Sequence, residues 1–487
     1  MTHDDGVAKG MVQRRGFLAA GASLLSAAVL SRVVSPALAE NARPPNIIYI
    51  MADDLGWKDV GFHGSDIATP VLDGLARAGA QFDAFYAQPM CTPSRAAFLT
   101  GRYPLRYGLQ TGVIPSAGSY GLSTDEYLLP QLLKDAGYET ALVGKWHLGH
   151  GDTRYWPRQR GFDHFYGALV GEIDHFEHAS HGVKDWYRDN QPLDEEGYDN
   201  TLFGNEASRL IRDRTGDKPL FLYLAFTAPH SPFQAPEDHV KRYAHIADEQ
   251  RRLYAAMVTA MDDAVGQVLK ALDEKGLRED TVIVFQSDNG GVRSAMFAGE
   301  SKVGDQLPAD NGGFRDGKGT LYEGGTRVVG FMNWPGHIKP GVVEGLSHVV
   351  DMYPTLAAIA GAKMEKNKPL DGINLWPAIS EGTRTPREEV VYNVDPTGGA
   401  VRQGNMKLVW NAGLPGKVEL FDIAKDPGET TNLAEQDPGT VARLKERILA
   451  LSQEMSPPLL IMEAIKLTFG APPVAADPAT MFNQMGD

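Results

Sequence analysis

Asn46-Ile47-Ile48-Tyr49-Ile50-Met51-Ala52, followed at once by Asp53-Asp54, reads as a strand buried on both faces with two carboxylates at its carboxyl end. β-branched and aromatic residues fill it with almost no polar interruption, the pattern of a central strand in a covered sheet. Working outward, similar apolar runs recur between amphipathic ones. Residues 70–79 read as a helix closed by Gly79, 81–86 as a strand, 93–100 as a helix with proline in its first turn, and 127–137 as a helix ahead of a strand at 139–144. Residues 220–227, 281–286 and 327–334 read as further strands. The longest helical pattern, 249–275, carries Leu253, Met257, Met261, Val265, Val268 and Leu272 along one face. This alternation predicts an α/β fold, a large, mostly parallel, mixed sheet sandwiched by helices.

From about Pro386 the strands shorten and crowd together, at 390–394, 400–409 and 418–422, before an amphipathic helix at 440–455. The spacing predicts a smaller C-terminal α+β subdomain with an antiparallel sheet over 386–487, attached to a catalytic domain at 40–385. The last residues, 470–487, are rich in Pro and Ala and lack periodicity.

Composition narrows the function. The 487 residues are 43% hydrophobic, enough for a large core, and the net charge of −15 argues against a nucleic-acid partner. An anionic small substrate is still compatible, because a cationic pocket can sit inside an acidic protein. The single cysteine, Cys91, forms no intrachain disulfide and builds no cysteine-based zinc site.

The polar residues that could carry chemistry stand at the carboxyl ends of the predicted strands, where open α/β sheets bind ligands. Asp53-Asp54 follows the first strand and Ser287-Asp288-Asn289-Gly290 follows 281–286. Together Asp53, Asp54, Asp288 and Asn289 form an all-oxygen set suited to Ca²⁺ or Mg²⁺ rather than Zn²⁺. Taken singly, either pair reads first as an Asx turn or a helix cap. Cys91 stands between a strand and a helix start, where anions are favoured, with Arg95 one turn on. A lone cysteine is usually an inert buried residue, and a cysteine hydrolase would also use this placement.

The surrounding motif separates these readings. Cys91-Thr92-Pro93-Ser94-Arg95, followed by Leu99-Thr100-Gly101-Arg102, resembles the signature of type I sulfatases, in which the cysteine is oxidised to formylglycine. Other motifs of that family follow in order: Asp53-Asp54, Gly144-Lys145-Trp146-His147-Leu148-Gly149, Pro229-His230, Ser287-Asp288-Asn289-Gly290, and Gly317-Lys318-Gly319 leading to Glu323-Gly324-Gly325. The resemblance covers nearly all of the chain after residue 39 and implies the alkaline-phosphatase-like fold. It further implies that Asp53, Asp54, Asp288, Asn289 and the modified Cys91 ligate a divalent metal, calcium with magnesium as the alternative. The hydrated aldehyde at Cys91 would attack sulfur. Arg95 and Lys145 would hold the nucleophile and the sulfate oxygens, and Lys318 would offset charge on the transferring group. His230 would protonate the departing alcohol, and His147 would take a proton from the second geminal hydroxyl. Outside these motifs, either histidine would read as a core or surface residue.

Within the family the pattern is nearest the arylsulfatase B (N-acetylgalactosamine-4-sulfatase) branch, through Arg160-Gly161-Phe162-Asp163-His164-Phe165-Tyr166-Gly167, Trp334-Pro335-Gly336 and Asn393-Val394-Asp395-Pro396. The segment 171–184 should line the substrate pocket, and spacing alone does not choose among its Asp174, His175, His178 and His181. The expected reaction is hydrolysis of a sulfate monoester, with a sulfated carbohydrate as natural substrate and aryl sulfates as surrogates. A phosphate or phosphonate monoester hydrolase is the alternative within the superfamily. A noncatalytic sulfated-glycan binder is a third reading, which the intact set of Cys91, Lys145, His147, His230 and Lys318 argues against.

At the amino end, Gln13-Arg14-Arg15-Gly16-Phe17-Leu18 opens an apolar run to Leu30, and Ala37-Leu38-Ala39 forms a cleavage pattern. This resembles a twin-arginine signal, with Gln13 where Ser or Thr is usual and Ala19 where Lys is common. The run is shorter than the ~20 residues a span requires. The expectation is a signal peptide at 1–39, the twin-arginine export machinery and a formylglycine-generating maturase as partners, a periplasmic or secreted product, and no membrane contact in the mature form.

Overall fold

The computed structural model describes residues 43–299, 307–413 and 415–469. The signal expected at 1–39 and the tail 470–487 lie outside the described residues. Asn46–Ala52 forms the expected strand, and its alternation feeds two cores. Ile47, Tyr49 and Met51 enter one, and Ile48, Ile50 and Ala52 enter the other. The strand pairs in parallel with Thr281–Ser287 on one side and Leu220–Ala225 on the other. Glu139–Gly144 and then His164–Gly167 continue the parallel series. Beyond Thr281–Ser287 the sheet turns antiparallel through Gly330–Asn333 and Ala80–Tyr86, and among the described residues it has eleven strands.

Helices cover both faces. On one, Phe98 of the Cys91–Thr100 helix stacks on Tyr49 with ring centroids 3.8 Å apart. On the other, Met257, Met261, Val265 and Val268 of the Glu249–Glu274 helix pack with Phe203 and Ile211 of the Asp199–Arg212 helix.

A second sheet of four antiparallel strands, Glu389–Asp395, Gly398–Gln403, Met406–Asn411 and Lys417–Asp422, carries the Pro438–Gln453 helix. Val390, Tyr392, Ala400 and Phe421 join it to Ala84 and Tyr86 of the large sheet. Two strand readings change. Residues 400–409 are two strands of a hairpin, because Gly404 turns the chain with φ 55°. Residues 327–334 break at Val329 into Arg327–Val328 and Gly330–Asn333, and only the second reaches Thr281–Ser287.

Candidate active site

The parallel strands deliver their carboxyl ends to one place. Asp53-Asp54 leaves Asn46–Ala52, Lys145 leaves Glu139–Gly144, Asp288 leaves Thr281–Ser287, and His230 lies a few residues beyond Leu220–Ala225. Cys91 is itself the first residue of its helix, two residues earlier than the sequence pattern suggested. Its Sγ lies 3.3 Å from Asp53 Oδ1 and 3.9 Å from Asp54 Oδ1. Asp54 and His147 both hold left-handed backbone, φ 65° and 57°, a conformation uncommon outside glycine that aims their side chains inward.

Each carboxylate in this buried group is tied to its own cation. Lys145 Nζ donates to Asp53 Oδ2, and Lys318 Nζ donates to Asp54 Oδ2 at 2.7 Å. Arg95 clamps Asp288 Oδ2 through Nε at 3.1 Å and a second guanidinium nitrogen at 2.9 Å, and also donates to the Lys145 carbonyl at 3.2 Å. Burial first, and then Asp53, push the Asp288 carboxyl upward despite Arg95. Burial and the charges of Asp288 and Asp53 push the Cys91 thiol well above its ordinary range, so the unmodified thiol is a poor nucleophile here.

The oxygens facing away from the cations fit a hard cation. Asn289 donates its amide to Asp54 Oδ1 at 2.7 Å, and its own Oδ1 is buried without a hydrogen-bond partner. An orphaned carbonyl oxygen beside three carboxylates is a donor set for Ca²⁺ or Mg²⁺. Ligand atoms of Asp53, Asp54, Cys91 and His230 also lie within 4.8 Å of one another.

The two histidines are prepared differently. His147 Nε2 donates to the Ile114 carbonyl at 3.0 Å, and Nδ1 is left without a partner. Burial, reinforced by Lys145 and Arg95, holds this imidazole well below its usual range, so Nδ1 carries a free lone pair. His230 Nδ1 donates to the Ser231 carbonyl at 2.6 Å, and Nε2 lies 3.5 Å from Asp54 Oδ2. Burial and Lys318 also hold His230 well below its usual range, against the pull of Asp54.

A pocket of about 180 Å³ opens onto Cys91, lined by His147, His230, Lys318, Glu172, His181 and Phe297 among others. Of the four residues left open in 171–184, His181 lines it. His175 sits behind the pocket, donating to Asp199 Oδ2 at 2.9 Å and to the His230 carbonyl at 3.0 Å. His178 is buried, stacked on Trp186 with ring centroids 4.1 Å apart. Asp174 accepts from the Phe176 and Glu177 amides at 2.9 and 2.7 Å and borders an adjoining cleft. Sequence reasoning missed Gly171, where a Cβ would strike the His147 ring, and Thr92, whose Oγ1 donates to the His147 carbonyl at 3.0 Å. No spacing signal marks either.

Comparison with known proteins agrees with this geometry. A family model described as Sulfatase matches residues 45–362. Arylsulfatase J of Mus musculus is 35% identical over 85% of this chain and 76% of its own length. N-acetylgalactosamine-6-sulfatase of Homo sapiens is 35% identical over 72% of this chain and 69% of its own length. The crystal structure of Ps i-CgsB in complex with k-i-k-neocarrahexaose superposes with a TM-score of 0.77 at 32% identity, covering 85% of this chain and 94% of that one.

Proposed function

The chain belongs to the sulfatase family and hydrolyses sulfate esters, and we propose that it does so at Cys91, on the sulfate of a sulfated carbohydrate. The observation that carries the site assignment is the Cys91 Sγ at 3.3 Å from Asp53, at the base of a pocket lined by Lys318, His147 and His230. When present, the divalent cation and the formylglycine of the family supply charge neutralisation and a hydroxyl nucleophile in place of the thiol. Asp53, Asp54, Asp288 and Asn289 would hold the cation, and calcium fits their oxygen donors.

The protein's own groups do the rest. Lys318 faces the pocket and draws the ester's oxygens toward Cys91. Arg95 and Lys145 fix the carboxylates, so the charges are in place before substrate arrives. His147 Nδ1, with its free lone pair, is the proton acceptor. His230 lines the pocket and, once its Nε2 has taken up a proton, would pass it to the leaving alcohol oxygen, while its Nδ1 proton stays on the Ser231 carbonyl. His175, behind it, is pushed upward by Asp199 against the effect of burial, and it fixes the His230 carbonyl.

The N-acetylgalactosamine-6-sulfatase relative and the neocarrahexaose-bound neighbour support a sulfated sugar as substrate. Among the described residues no helix is long and apolar enough to cross a membrane. The twin-arginine pattern supports export to the periplasm, with a maturase acting on Cys91. The test compares 4-nitrophenyl sulfate with 4-nitrophenyl phosphate on one preparation. The sulfate should have the higher kcat/KM, and preference for the phosphate would favour the monoester phosphohydrolase reading.

A further inference from the structure

We propose that His175, backed by Asp199, is a positioning residue for the proton donor His230, and that its hydrogen bond to the His230 carbonyl keeps that donor aimed at the leaving oxygen. This rests on the reading of His230 as the group that protonates the leaving alcohol.

His230 needs such support more than its neighbours in the site do. Asp53, Lys145 and Asp288 each follow directly on a strand of the large sheet, whose register fixes where they emerge. Beyond Leu220–Ala225, backbone bonding to the neighbouring segment carries on to the Ala228 carbonyl, which accepts from the Asp53 amide at 3.0 Å, and His230 lies past it. The His230 amide turns back on its own segment, donating to the Thr227 carbonyl at 2.9 Å.

The first turn of the Asp199–Arg212 helix braces that segment from outside. Asp199 Oδ2 accepts from the Thr227 hydroxyl, and Asn200 Oδ1 accepts from the Ala228 amide at 3.1 Å. These contacts hold the chain ahead of His230. His175 holds His230 itself, through Nε2 on its carbonyl at 3.0 Å, with Nδ1 on Asp199 Oδ2 at 2.9 Å. A carbonyl can only accept, so Nε2 of His175 carries a hydrogen. The imidazole of His230 is tied at Nδ1 to the Ser231 carbonyl, so the proton that moves is the one on Nε2, at the far end of the ring. A small tilt of the backbone at His230 displaces that atom most, and misplacement by about 1 Å can cost about 10²-fold in rate.

His175 is buried and fixed at its own backbone. Its amide donates to Gln234 Oε1 at 2.9 Å, and its carbonyl accepts from the Asp199 amide at 2.9 Å. It belongs to the segment 171–184, whose Glu172 and His181 line the pocket. One residue therefore joins a wall that meets the substrate to the aim of the proton donor.

The experiment uses the two amides that imitate one imidazole nitrogen each. The Gln amide nitrogen falls near the place of Nε2, so His175→Gln keeps the donor to His230. The Asn amide nitrogen falls near the place of Nδ1, so His175→Asn keeps Asp199 and loses His230. His175→Phe keeps a ring in the space and has neither donor. For each variant of the matured enzyme, shown to be folded by a thermal scan, kcat/KM is measured for 4-nitrophenyl sulfate and for phenyl sulfate, whose leaving group is poorer. The quotient of the first over the second should rise about 10²-fold in His230→Ala, the lower end of what general acid catalysis supplies. It should rise about tenfold in His175→Asn and His175→Phe, and less than about threefold in His175→Gln. A role confined to holding Asp199 would reverse the order of Gln and Asn. A quotient that fails to rise in Asn or in Phe, or that rises in Gln as far as in Asn, overturns the positioning role while a raised quotient in His230→Ala keeps the proton donor. An unchanged quotient in His230→Ala overturns the donor reading, and the positioning with it.

Discussion

Lys407 ties the small sheet to the segment that also carries Lys318. It is fully buried, with Nζ 3.0 Å from Glu323 Oε1, 2.8 Å from Glu429 Oε1 and 4.0 Å from the Tyr392 ring centroid. The other oxygen of Glu429 accepts from the Glu323 amide at 2.7 Å. Lys407→Met keeps most of the side chain and removes the charge, leaving two carboxyls together in the interior. Breaking a buried pair from one side costs about 3–5 kcal/mol. At roughly 2.1 cal/mol/K of unfolding entropy per residue, a 487-residue chain should lose about 3–5 °C of melting midpoint. Burial already pushes the Glu429 carboxyl up against the pull of Lys407, and losing the lysine pushes it further. A carboxyl raised on folding costs nothing below its unfolded pKa and more as pH rises toward its folded one, so the deficit is larger at about pH 8 than at about pH 5. Scanning calorimetry at both values reads this directly, and adding Glu429→Gln should recover part of the loss. An unchanged midpoint at the higher pH, or a deficit that grows on acidification, would refute the reasoning.

Three further outcomes follow from the site. Gly171→Ala drives a methyl into the His147 ring, so kcat should fall about 10²-fold with little change in melting midpoint, as steady-state kinetics beside a thermal scan would show. His230→Ala should slow sulfates of poor leaving alcohols far more than activated aryl sulfates, while His147→Ala should bring all of them to a common turnover; both variants losing activity in parallel across a leaving-group series would contradict the division of roles. Chelation with EDTA should abolish activity, and Ca²⁺ or Mg²⁺ should restore it; stoichiometric zinc in the isolated protein would contradict the oxygen-donor reading.

The central strand was legible because nothing polar interrupts Ile47–Ala52, and burial on both faces requires that. Its neighbours at 139–144, 220–225 and 281–287 were legible for the same reason. The edges were not. Gly341–His348 mixes exposed Val342 and Glu344 with a register shift between Val343 and Leu346, which erases any simple alternation. The hairpin at Gly404 merged into one run because only two residues, Gly404 and Asn405, separate its strands. At the site, Asp53, Asp54, Lys145 and Asp288 come together because each follows a strand whose carboxyl end faces the same edge of the sheet. The segment 171–184 stayed ambiguous because it is a loop with only two-residue strands, so no period dictates which side chain faces the pocket. Gly171 was invisible because its role is the absence of a side chain.

The chemistry assigned to this site turns most directly on Cys91 as the reacting position. Its measurement is the mass of the Cys91 peptide from a preparation titrated for active sites. The peptide should be about 18 Da lighter than the thiol form, the difference between a cysteine and a formylglycine residue, and the converted fraction should match the active fraction. A fully active preparation whose Cys91 peptide retains the unmodified thiol would contradict it.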